Sequence, residues 1–422
     1  MSEAVQRVQA VSACHYISGE WIRGQGGRQP VIDPATESPI GEIAEATRDE
    51  IERAVESARR AQKLWWATSA LDRASALHEV ARKMREGSAV VGEALTREMG
   101  KPFREGHWEA GAASTSFDYY AQLARHDAGR VAGPAIAGQL HMTLKEPVGT
   151  VVSIVPFNFP LLLSGWQAAA ALAAGNAVII KPSELTSLTT LLSMHAFEHL
   201  PPGLVQVLCG GAAVGKALVE HAHTHAIAFT GSVAAAKMVA HAAADRFKPT
   251  LIEASGNDPF LVMPSAPIDV AVRGAAFAAF LNCGQVCTSA ERFYVHEAVY
   301  DAFVEGLAAQ ARALRVGSGL GKVDIGPMAS RRERDRVAAL VERTVAAGAR
   351  VVCGAEVPAH LSRGWYYAPT VLADVTADME ILHGESFGPV AAVCKVRSLD
   401  EAIALANDST MGLGANIYTG DL

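Results

Sequence analysis

The sequence lacks the cysteine spacing of a zinc-binding protein and the N-terminal signal of a secreted one. Its 422 residues contain only six cysteines, and the spacing of Cys283 and Cys287 fits neither a zinc knuckle nor a C-x-x-C redox pair. Residues 1–14 include Glu3 and Arg7 and no long apolar run, which argues against a secretory signal. We therefore predict a reduced, cytoplasmic protein.

An excess of positive charge is also missing. The chain has 37 Lys and Arg residues against 44 Asp and Glu residues, for a net charge of −7. Nucleic-acid binding depends on clustered Lys and Arg that neutralise phosphates. The run at residues 331–336 mixes both signs, as the solvated face of a helix does. We therefore predict no nucleic-acid partner.

Long hydrophobic runs are scarce as well, and only one stretch raises a membrane-spanning alternative. Residues 160–180 carry no formal charge, but Ala dominates over Leu and Ile, and Gly175-Asn176 interrupts the stretch. A membrane helix needs about 20 consecutive, predominantly apolar residues. We predict a buried helix followed by a buried strand, and no membrane partner.

Apolar residues are nevertheless abundant. They make up 50% of the chain, which at this length is enough for two or three buried cores. Residues 51–65 place small and apolar side chains on one helical face, and residues 73–92 show the same spacing. We therefore predict two early amphipathic helices. Residues 128–147 are rich in Gly and Ala around Pro134, which predicts a protruding hairpin or linker.

From Gly149 onward, predicted strands and helices alternate. Strands are predicted at 151–155, 177–180, 204–208 and 226–229, and helices at 160–175, about 186–200 and from 233 onward. This alternation is typical of a parallel sheet covered by helices on both faces, a Rossmann-like domain. After Glu253 a second α/β segment is predicted, with strands at 292–295 and 389–396 and a Ser398–Glu401 capping box.

Three short motifs lie where such a fold binds ligands. Thr230-Gly231-Ser232 joins a strand to a helix, where backbone N–H groups and the helix dipole favour a phosphate. Lys181-Pro182-Ser183-Glu184 follows another strand, where a carboxylate would accept hydrogen bonds from ribose hydroxyls. Cys287 follows a glycine-containing turn. Each motif alone also fits an alternative: an ordinary turn, a solvated charged turn and an inert buried thiol.

Six ordered motifs together make the sequence similar to the aldehyde dehydrogenase superfamily. They are Pro156-Phe157-Asn158-Phe159-Pro160, Lys181-Pro182-Ser183-Glu184, Phe229-Thr230-Gly231-Ser232, Glu253, Gly284-Gln285-Val286-Cys287-Thr288 and Glu385-Ser386-Phe387-Gly388-Pro389-Val390. The resemblance extends from about Tyr16 to the last residue. It implies an α/β fold with a Rossmann-like NAD-binding domain (1–127 and 148–253), a small β-hairpin for oligomerisation (128–147) and a second α/β catalytic domain (254–422).

The resemblance implies that Cys287 is the nucleophile in the oxidation of an aldehyde to a carboxylic acid. Its thiolate would add to the aldehyde carbon, which at neutral pH requires a pKa below the free value of about 8.5. The amide of Asn158 and the backbone N–H of Cys287 would stabilise the oxyanion. After hydride transfer to NAD, Glu253 would act as general base on the water that hydrolyses the thioester.

The resemblance also implies a set of cofactor contacts. Lys181 and Glu184 would hold the adenosine ribose, and Ser232 would contact the pyrophosphate. Glu385 would bind the nicotinamide ribose, with Phe387 packed near the ring. The other implied cofactor-binding residues are Phe157, Ser183, Gly215, Phe229 and Gly231. Because the carboxylate of Glu184 would repel a 2′-phosphate, NAD is expected rather than NADP.

The sequence departs from the family pattern at several positions. Gln167 stands at a position where the family commonly has a lysine, and that lysine is thought to relay protons from the base. Cys283 replaces a common glutamine. Ser255 stands in a usual Gly-Gly pair, and Ala236 replaces a usual glycine. Family members also continue beyond the last residue with a segment that adds a strand to a neighbouring subunit. A homodimer or homotetramer is implied, and the alternative is a catalytically impaired NAD-binding protein of the same fold.

Two histidine patterns and a set of aromatic residues have weaker claims. His195-Ala196-Phe197-Glu198-His199 matches an inverted zinc-protease motif without an evident third ligand, and the alternating His221, His223 and His225 fit a solvated turn. We therefore predict no metal. Candidates for lining an aldehyde tunnel, with ordinary packing as the alternative, are Phe117, Tyr119, Tyr120, Phe159, Leu162 and Trp166.

Overall fold

The computed structural model describes residues 2–126 and 129–421. Its helices are α1 (Glu3–Val11), α2 (Arg48–Ala67), α3 (Ala70–Met99), α4 (Phe103–Ala124), α5 (Pro160–Ala173), α6 (Ser187–Ser193), α7 (Ala212–Glu220), α8 (Val233–Ala244), α9 (Ile268–Phe280), α10 (Tyr300–Ala313), α11 (Arg331–Ala346) and α12 (Leu399–Asn407). Its strands are β1 (Cys14–Ile17), β2 (Glu20–Arg23), β3 (Arg28–Asp33), β4 (Ser38–Ala44), β5 (Arg130–Ala132), β6 (His141–Thr143), β7 (Thr150–Ile154), β8 (Ala177–Lys181), β9 (Val205–Val207), β10 (Ala226–Thr230), β11 (Thr250–Glu253), β12 (Asp258–Val262), β13 (Ala290–His296), β14 (Arg350–Cys353), β15 (Thr370–Ala373), β16 (Val390–Val396) and β17 (Asn416–Tyr418).

The chain divides into two compact units. The first comprises Met1–Val31, Pro39–Ala94 and Gly106–Glu253, and the second comprises Ile32–Ser38, Leu95–Glu105 and Ala254–Leu422. Each unit contains its own parallel sheet. The predicted α/β class is therefore confirmed.

The sheet of the first unit has the strand order β11-β10-β7-β8-β9-β1-β2. The pairs from β11 to β9 are parallel, whereas β1 runs antiparallel to both β9 and β2. The strands β8 and β9 are buried at every position. Continuous apolar runs of this kind are typical of parallel strands with both faces covered by helices.

Local sequence explains where the helices of this unit begin and end. Thr47 and Glu50 form a reciprocal capping box at the start of α2. Pro160 opens α5 because its fixed φ suits the first helical position. Gly175, with φ +87°, ends the segment before β8. The uncharged stretch at 160–180 is thus a helix and a strand, as predicted.

The second unit contains a sheet of order β14-β15-β16-β13-β12-β17. Only the β14–β15 pair is antiparallel. Phe260 lies at the centre of its core, with ring centroids 5.1 Å from Phe293 and 4.8 Å from Tyr418. The first unit also contains a separate hairpin, β5–β6, with exposed residues on both strands.

Two local predictions were wrong in detail. The helix predicted at about 186–200 is α-helical only to Ser193 and continues as a 3-10 turn over Met194–Phe197, a form that is frequent at the ends of α-helices. The capping box at Ser398 is incomplete. Ser398 Oγ accepts from Glu401 N–H (3.1 Å), but the Glu401 carboxylate accepts from Arg397 N–H (2.7 Å).

No helix within residues 2–126 and 129–421 is long and apolar enough to cross a membrane.

Candidate active site

The carboxyl ends of four neighbouring strands form one edge of the first sheet. Their register pairs Ile154 with Lys181, Phe229 with Ile154, and Thr230 with Glu253. In open α/β sheets this edge is where ligands bind. The motifs at residues 156–160, 181–184 and 229–232 and the carboxylate of Glu253 therefore meet along a single edge of the first unit.

Asn158 lies at this edge, at the entrance to α5. Its side chain is only 2% exposed. The first turn of α5 receives no capping hydrogen bond from the side chain of its own N-cap residue, Phe159. Instead Glu109, a fully buried carboxylate on α4, accepts hydrogen bonds from the N–H groups of Leu161 (2.9 Å) and Leu162 (3.3 Å). Glu109 thereby fixes the backbone that carries Asn158.

Gln167 joins three elements at the same edge. Its Oε1 accepts from the Ser153 hydroxyl on β7 (2.6 Å), and its Nε2 donates to Thr230 Oγ1 at the end of β10 (3.1 Å). Both ends of the amide are thus used in cross-links between α5 and two strands. An amide neither gains nor loses a proton at ordinary pH, so Gln167 does not act as the proton relay for which the family uses lysine.

Lys181 and Glu184 form an ion pair at the end of β8. Lys181 Nζ lies 3.5 Å from Glu184 Oε2, and the lysine side chain is 8% exposed while the glutamate side chain is 39% exposed. The start of α7 lies beside them, because a Cβ at Gly211 would be 3.0 Å from Glu184 Oε1. Between these two residues, Ser183 Oγ accepts from Leu185 N–H (3.3 Å) and shapes the turn.

Glycines keep this edge open to a ligand. A Cβ at Gly215 would meet only Ile154 and Lys181 side-chain carbons, both at 3.9 Å. A Cβ at Gly231 would lie 2.8 Å from the ring of Phe229, so only glycine lets that ring fold back over the turn. Ser232 is the N-cap of α8 and accepts from Ala235 N–H (3.3 Å). Phe157 is half-buried.

Glu253 is the last residue of β11, at the edge of the first sheet. Gly231 N–H donates to its carbonyl oxygen (3.2 Å), which joins Glu253 to the turn before α8. Its side chain is half-buried. A carboxylate in such a position remains accessible to water and to a reacting group.

In the second unit, Cys287 lies in a tight turn just before β13. Ser289 N–H donates to the Val286 carbonyl (2.9 Å), which closes a four-residue turn with Cys287 at its first central position. The thiol residue is half-exposed. The preceding loop is held by the buried Gln285, whose Nε2 donates to Asn282 O (3.0 Å) and whose Oε1 accepts from Ala329 N–H (3.1 Å).

Glycines in the second unit allow the backbone to approach the Cys287 turn closely. A Cβ at Gly256 would lie 2.2 Å from the Cys287 carbonyl oxygen. Gly284 has φ +71°, and a Cβ there would lie 2.0 Å from the Gly388 carbonyl oxygen. The Cys287 turn therefore contacts the 254–257 segment, and the loop before it contacts the 385–389 segment, without any intervening side chain.

Cys283 is not a second reactive thiol. It is 2% exposed, and burial raises the pKa of its thiol far above the ordinary value, with the nearby carboxylate of Glu105 adding to the increase. Cys283 lies four residues before Cys287, but its burial keeps its thiol unreactive.

Residues Glu385 to Phe387 form a segment beside this turn. Burial raises the pKa of the Glu385 carboxyl to about 7, while the Ser255 hydroxyl, Arg336 and the Gly256 N–H lower it. Ser255, which stands in the usual Gly-Gly pair, thus faces Glu385. Phe387 has a left-handed backbone, with φ +46°.

Sequence reasoning missed two buried carboxylates, Glu109 and Glu291. Glu291, on β13, accepts from the N–H groups of Ser386 (2.7 Å) and Phe387 (2.8 Å). The only available signal was an acidic residue inside an apolar segment, as in Ala290-Glu291-Arg292-Phe293, because a buried charge needs partners.

The weaker sequence candidates are placed as follows. Phe117 is fully buried, with its ring 5.5 Å from Phe197, so it is a core residue and not a tunnel residue. Tyr119 and Trp166 are exposed. No group of three or more His, Cys, Asp or Glu side chains suited to a metal lies within the described residues. His195 contacts Glu198, whereas His199 contacts the Ala76 carbonyl.

Comparison with known proteins agrees with this arrangement. The aldehyde dehydrogenase family matches residues 21–422. Peroxisomal aminoaldehyde dehydrogenase 1 of Malus domestica is 37% identical over 98% of this chain and 85% of its own length. The 3,6-anhydro-alpha-L-galactose dehydrogenase of a Vibrio species is 34% identical, over 96% of this chain and 86% of its own.

Solved structures agree as well. The NAD+ complex of an aldehyde dehydrogenase from Bacillus cereus is 31% identical and superimposes with a TM-score of 0.96, covering 100% of this chain and 87% of that one.

Proposed function

The chain belongs to the aldehyde dehydrogenase family, and from that premise we propose that Cys287, Asn158 and Glu253 carry out its NAD-dependent oxidation of an aldehyde to a carboxylic acid. The observation that supports this assignment most is the strand register of the first unit. That register aligns Glu253 with the Thr230-Gly231-Ser232 turn and Lys181 with the strand that leads to Asn158.

The residues of the first sheet edge fit a dinucleotide. The α8 N-terminus offers backbone N–H groups near Gly231 and Ser232, and Glu184 offers a carboxylate for ribose hydroxyls. We assign the adenosine ribose to Lys181 and Glu184, and the pyrophosphate to Ser232. The other assigned contacts are Phe157, Ser183, Gly215, Phe229, Gly231, Glu385 and Phe387. Bound NAD supplies the hydride acceptor.

We assign the covalent step to Cys287. Its thiolate sulfur bonds to the aldehyde carbon, and the carbonyl oxygen takes up negative charge. The Asn158 amide and the Cys287 N–H donate hydrogen bonds to that oxygen, and the loss of one such donor typically costs about 100- to 1000-fold in turnover. Glu109 supports this step indirectly, because it holds the backbone next to Asn158.

The C–O double bond of the adduct re-forms as its carbon loses a hydride, for which bound NAD would be the acceptor, and a thioester on Cys287 is left. We assign hydrolysis of this thioester to water activated by Glu253. The carboxylate takes one proton from the water as the oxygen attacks the acyl carbon, and the acid product leaves as the carbon–sulfur bond breaks and Cys287 returns to a thiolate. The proton then passes from Glu253 to solvent. Gln167 cannot accept it, because its amide is not ionisable and is hydrogen-bonded to Ser153 and Thr230.

The experiment measures NADH formation with a panel of aliphatic, aromatic, amino-, betaine-type and sugar-derived aldehydes. The panel is broad because the relatives act on an aminoaldehyde in one case and an anhydrosugar in another. Wild type is expected to turn over at least one class, and Cys287→Ser to lose turnover by about 1000-fold or more while still binding NAD. Ordinary activity in Cys287→Ser would refute the nucleophile assignment, and NAD binding without turnover in wild type would favour the impaired alternative.

We further propose that residues 1–127 and 148–253 act as the NAD-binding domain, 254–422 as the catalytic domain and 128–147 as an element of a cytoplasmic homodimer or homotetramer. The β5–β6 hairpin supports the last assignment, because Val131 is 75% and Met142 is 54% exposed. Val131→Asp should yield a smaller species by light scattering. An unchanged mass would contradict the role of the hairpin.

A further inference from the structure

A buried carboxylate joins the strand after the nucleophile to the segment assigned to the nicotinamide end of the cofactor. Glu291 is the second residue of β13 and is 2% exposed. Its Oε2 accepts from Ser386 N–H (2.7 Å) and its Oε1 accepts from Phe387 N–H (2.8 Å). The assigned chemistry does not use this side chain.

The segment that Glu291 holds has an unusual backbone. Phe387 has φ +46°, a left-handed conformation that L residues with bulky side chains rarely adopt. Such conformations persist only where surrounding contacts fix them. The Phe387 N–H is one of the two groups that Glu291 binds, so the carboxylate acts at the strained residue itself.

Other contacts hold the same segment. Arg336 donates from Nη2 to the Ser386 carbonyl oxygen (2.8 Å). The Gly388 carbonyl lies against Gly284, where no Cβ could be accommodated. Glu291 therefore accepts hydrogen bonds from two N–H groups of the segment, and Arg336 donates one to a carbonyl group. Gly284, in the loop before Cys287, contacts the backbone at Gly388.

We propose that Glu291 is a positioning residue for the cofactor, which sets the placement of Glu385 and Phe387 and thereby the affinity for the nicotinamide half of NAD. The proposal rests on the assignment of Glu385 and Phe387 to the cofactor. The two N–H donors bind separate oxygens of the Glu291 carboxyl group, an arrangement that an amide, with one oxygen and one NH2 group, does not reproduce. Glutamine has nearly the same shape, but it would place an NH2 group against one of the N–H groups.

Burial and hydrogen bonding act on the pKa of the Glu291 carboxyl group in opposite directions. Burial raises the pKa of its carboxyl to about 8, the negative charge of Glu385 adds to the increase, and the two N–H groups lower it. Because burial raises this pKa while the two N–H donors lower it, the hydrogen bonds from Ser386 and Phe387 are the contacts that oppose protonation of the buried carboxyl group.

The experiment compares equilibrium binding of NAD and of ADP, by calorimetry, in wild type and in Glu291→Gln. ADP lacks the nicotinamide and its ribose, so its affinity reports only on the adenosine end. We expect Glu291→Gln to weaken NAD binding by about tenfold and to change ADP binding by less than twofold. Glu297→Gln, which alters an exposed carboxylate just after β13, is the matched control and should change neither affinity.

Other outcomes would overturn the proposal. Unchanged NAD affinity in a folded Glu291→Gln variant would do so, and so would an equal loss of NAD and ADP affinity, which indicates only a general structural defect. Glu291→Asp keeps the charge but shortens the reach, so it should give an intermediate loss and takes the place of Glu291→Gln if that variant does not fold.

A further variant separates the proposal from the function on which it rests. Glu385→Gln should weaken NAD but not ADP. If Glu385→Gln has no effect, the cofactor assignment fails and the positioning proposal falls with it. If Glu385→Gln weakens NAD and Glu291→Gln does not, only the positioning proposal fails.

Discussion

The two units position their functional groups by different means. In the first unit, Lys181, Thr230 and Glu253 stand at strand ends, and parallel pairing places them along one edge. In the second unit, Cys287 and Phe387 lie in turns that no strand register controls. Close glycine contacts and one buried carboxylate fix them. Strand pairing spreads the cost of a change over many hydrogen bonds, whereas a turn depends on a few contacts. The second unit should therefore be the more sensitive to single substitutions.

The largest expected effect concerns Glu253, the residue at the edge of the first sheet that we propose as the general base. Glu253→Gln should leave the β10–β11 pairing intact, because its backbone bonds are unchanged. We expect steady-state turnover to fall by about 100-fold or more, with a burst of NADH and an acyl-enzyme that intact mass spectrometry detects. Full steady-state turnover would show that Glu253 is not the base.

A matched pair of glycine substitutions tests the difference in sensitivity directly. Gly284→Ala should destabilise the protein by more than about 2 kcal/mol, since φ +71° is unfavourable for alanine and its Cβ would lie 2.0 Å from the Gly388 carbonyl oxygen. Gly215→Ala should cost little stability because its nearest neighbours lie at 3.9 Å. Thermal unfolding of both variants measures the difference, and equal melting temperatures would refute the comparison.

Glu109→Gln tests whether the first unit also depends on a buried carboxylate. The change leaves a weaker acceptor for two N–H groups at the start of α5, where hydrogen bonds to a charged group contribute about 1.5–3 kcal/mol. We expect a roughly tenfold fall in kcat through displacement of Asn158, with NAD affinity unchanged. If kcat is unaffected in a folded variant, the start of α5 does not need Glu109.

Glu184→Ser should have the smallest effect. The side chain is 39% exposed, so its repulsion of a 2′-phosphate is partly screened by solvent. We expect the ratio of kcat/KM for NAD to that for NADP to fall several-fold, without loss of stability. An unchanged ratio would mean that another group excludes the phosphate.

The two units also differed in how far sequence could predict them. Alternating patterns located β7, β8 and β10 to within a residue or two, because parallel strands are continuous apolar runs and turns follow them. The motif residues of the first unit could be placed for the same reason. The α1 helix, β1 to β4 and α4 were not predicted, since their apolar residues are few or follow no clear period.

The buried carboxylates could not be predicted. Glu109 bonds to a residue 52 positions away, and Glu291 bonds to one 95 positions away. No local pattern reveals such a partner, since the pairing depends on the packing of separate elements. The left-handed backbone of Phe387 was equally invisible, because bulky residues ordinarily avoid that conformation.

The Gln167 amide, which links β7 and β10 to α5, has a consequence for the pH dependence of the reaction rate. A lysine at this place would carry a group that changes charge with the acidity of the medium, whereas Gln167 keeps the same donor and the same acceptor throughout. Whatever inflections the rate of this dehydrogenase shows when acidity is varied, none of them originates at residue 167. If Glu253 is the base, as we propose, its regeneration between turnovers depends on how readily bulk water reaches it.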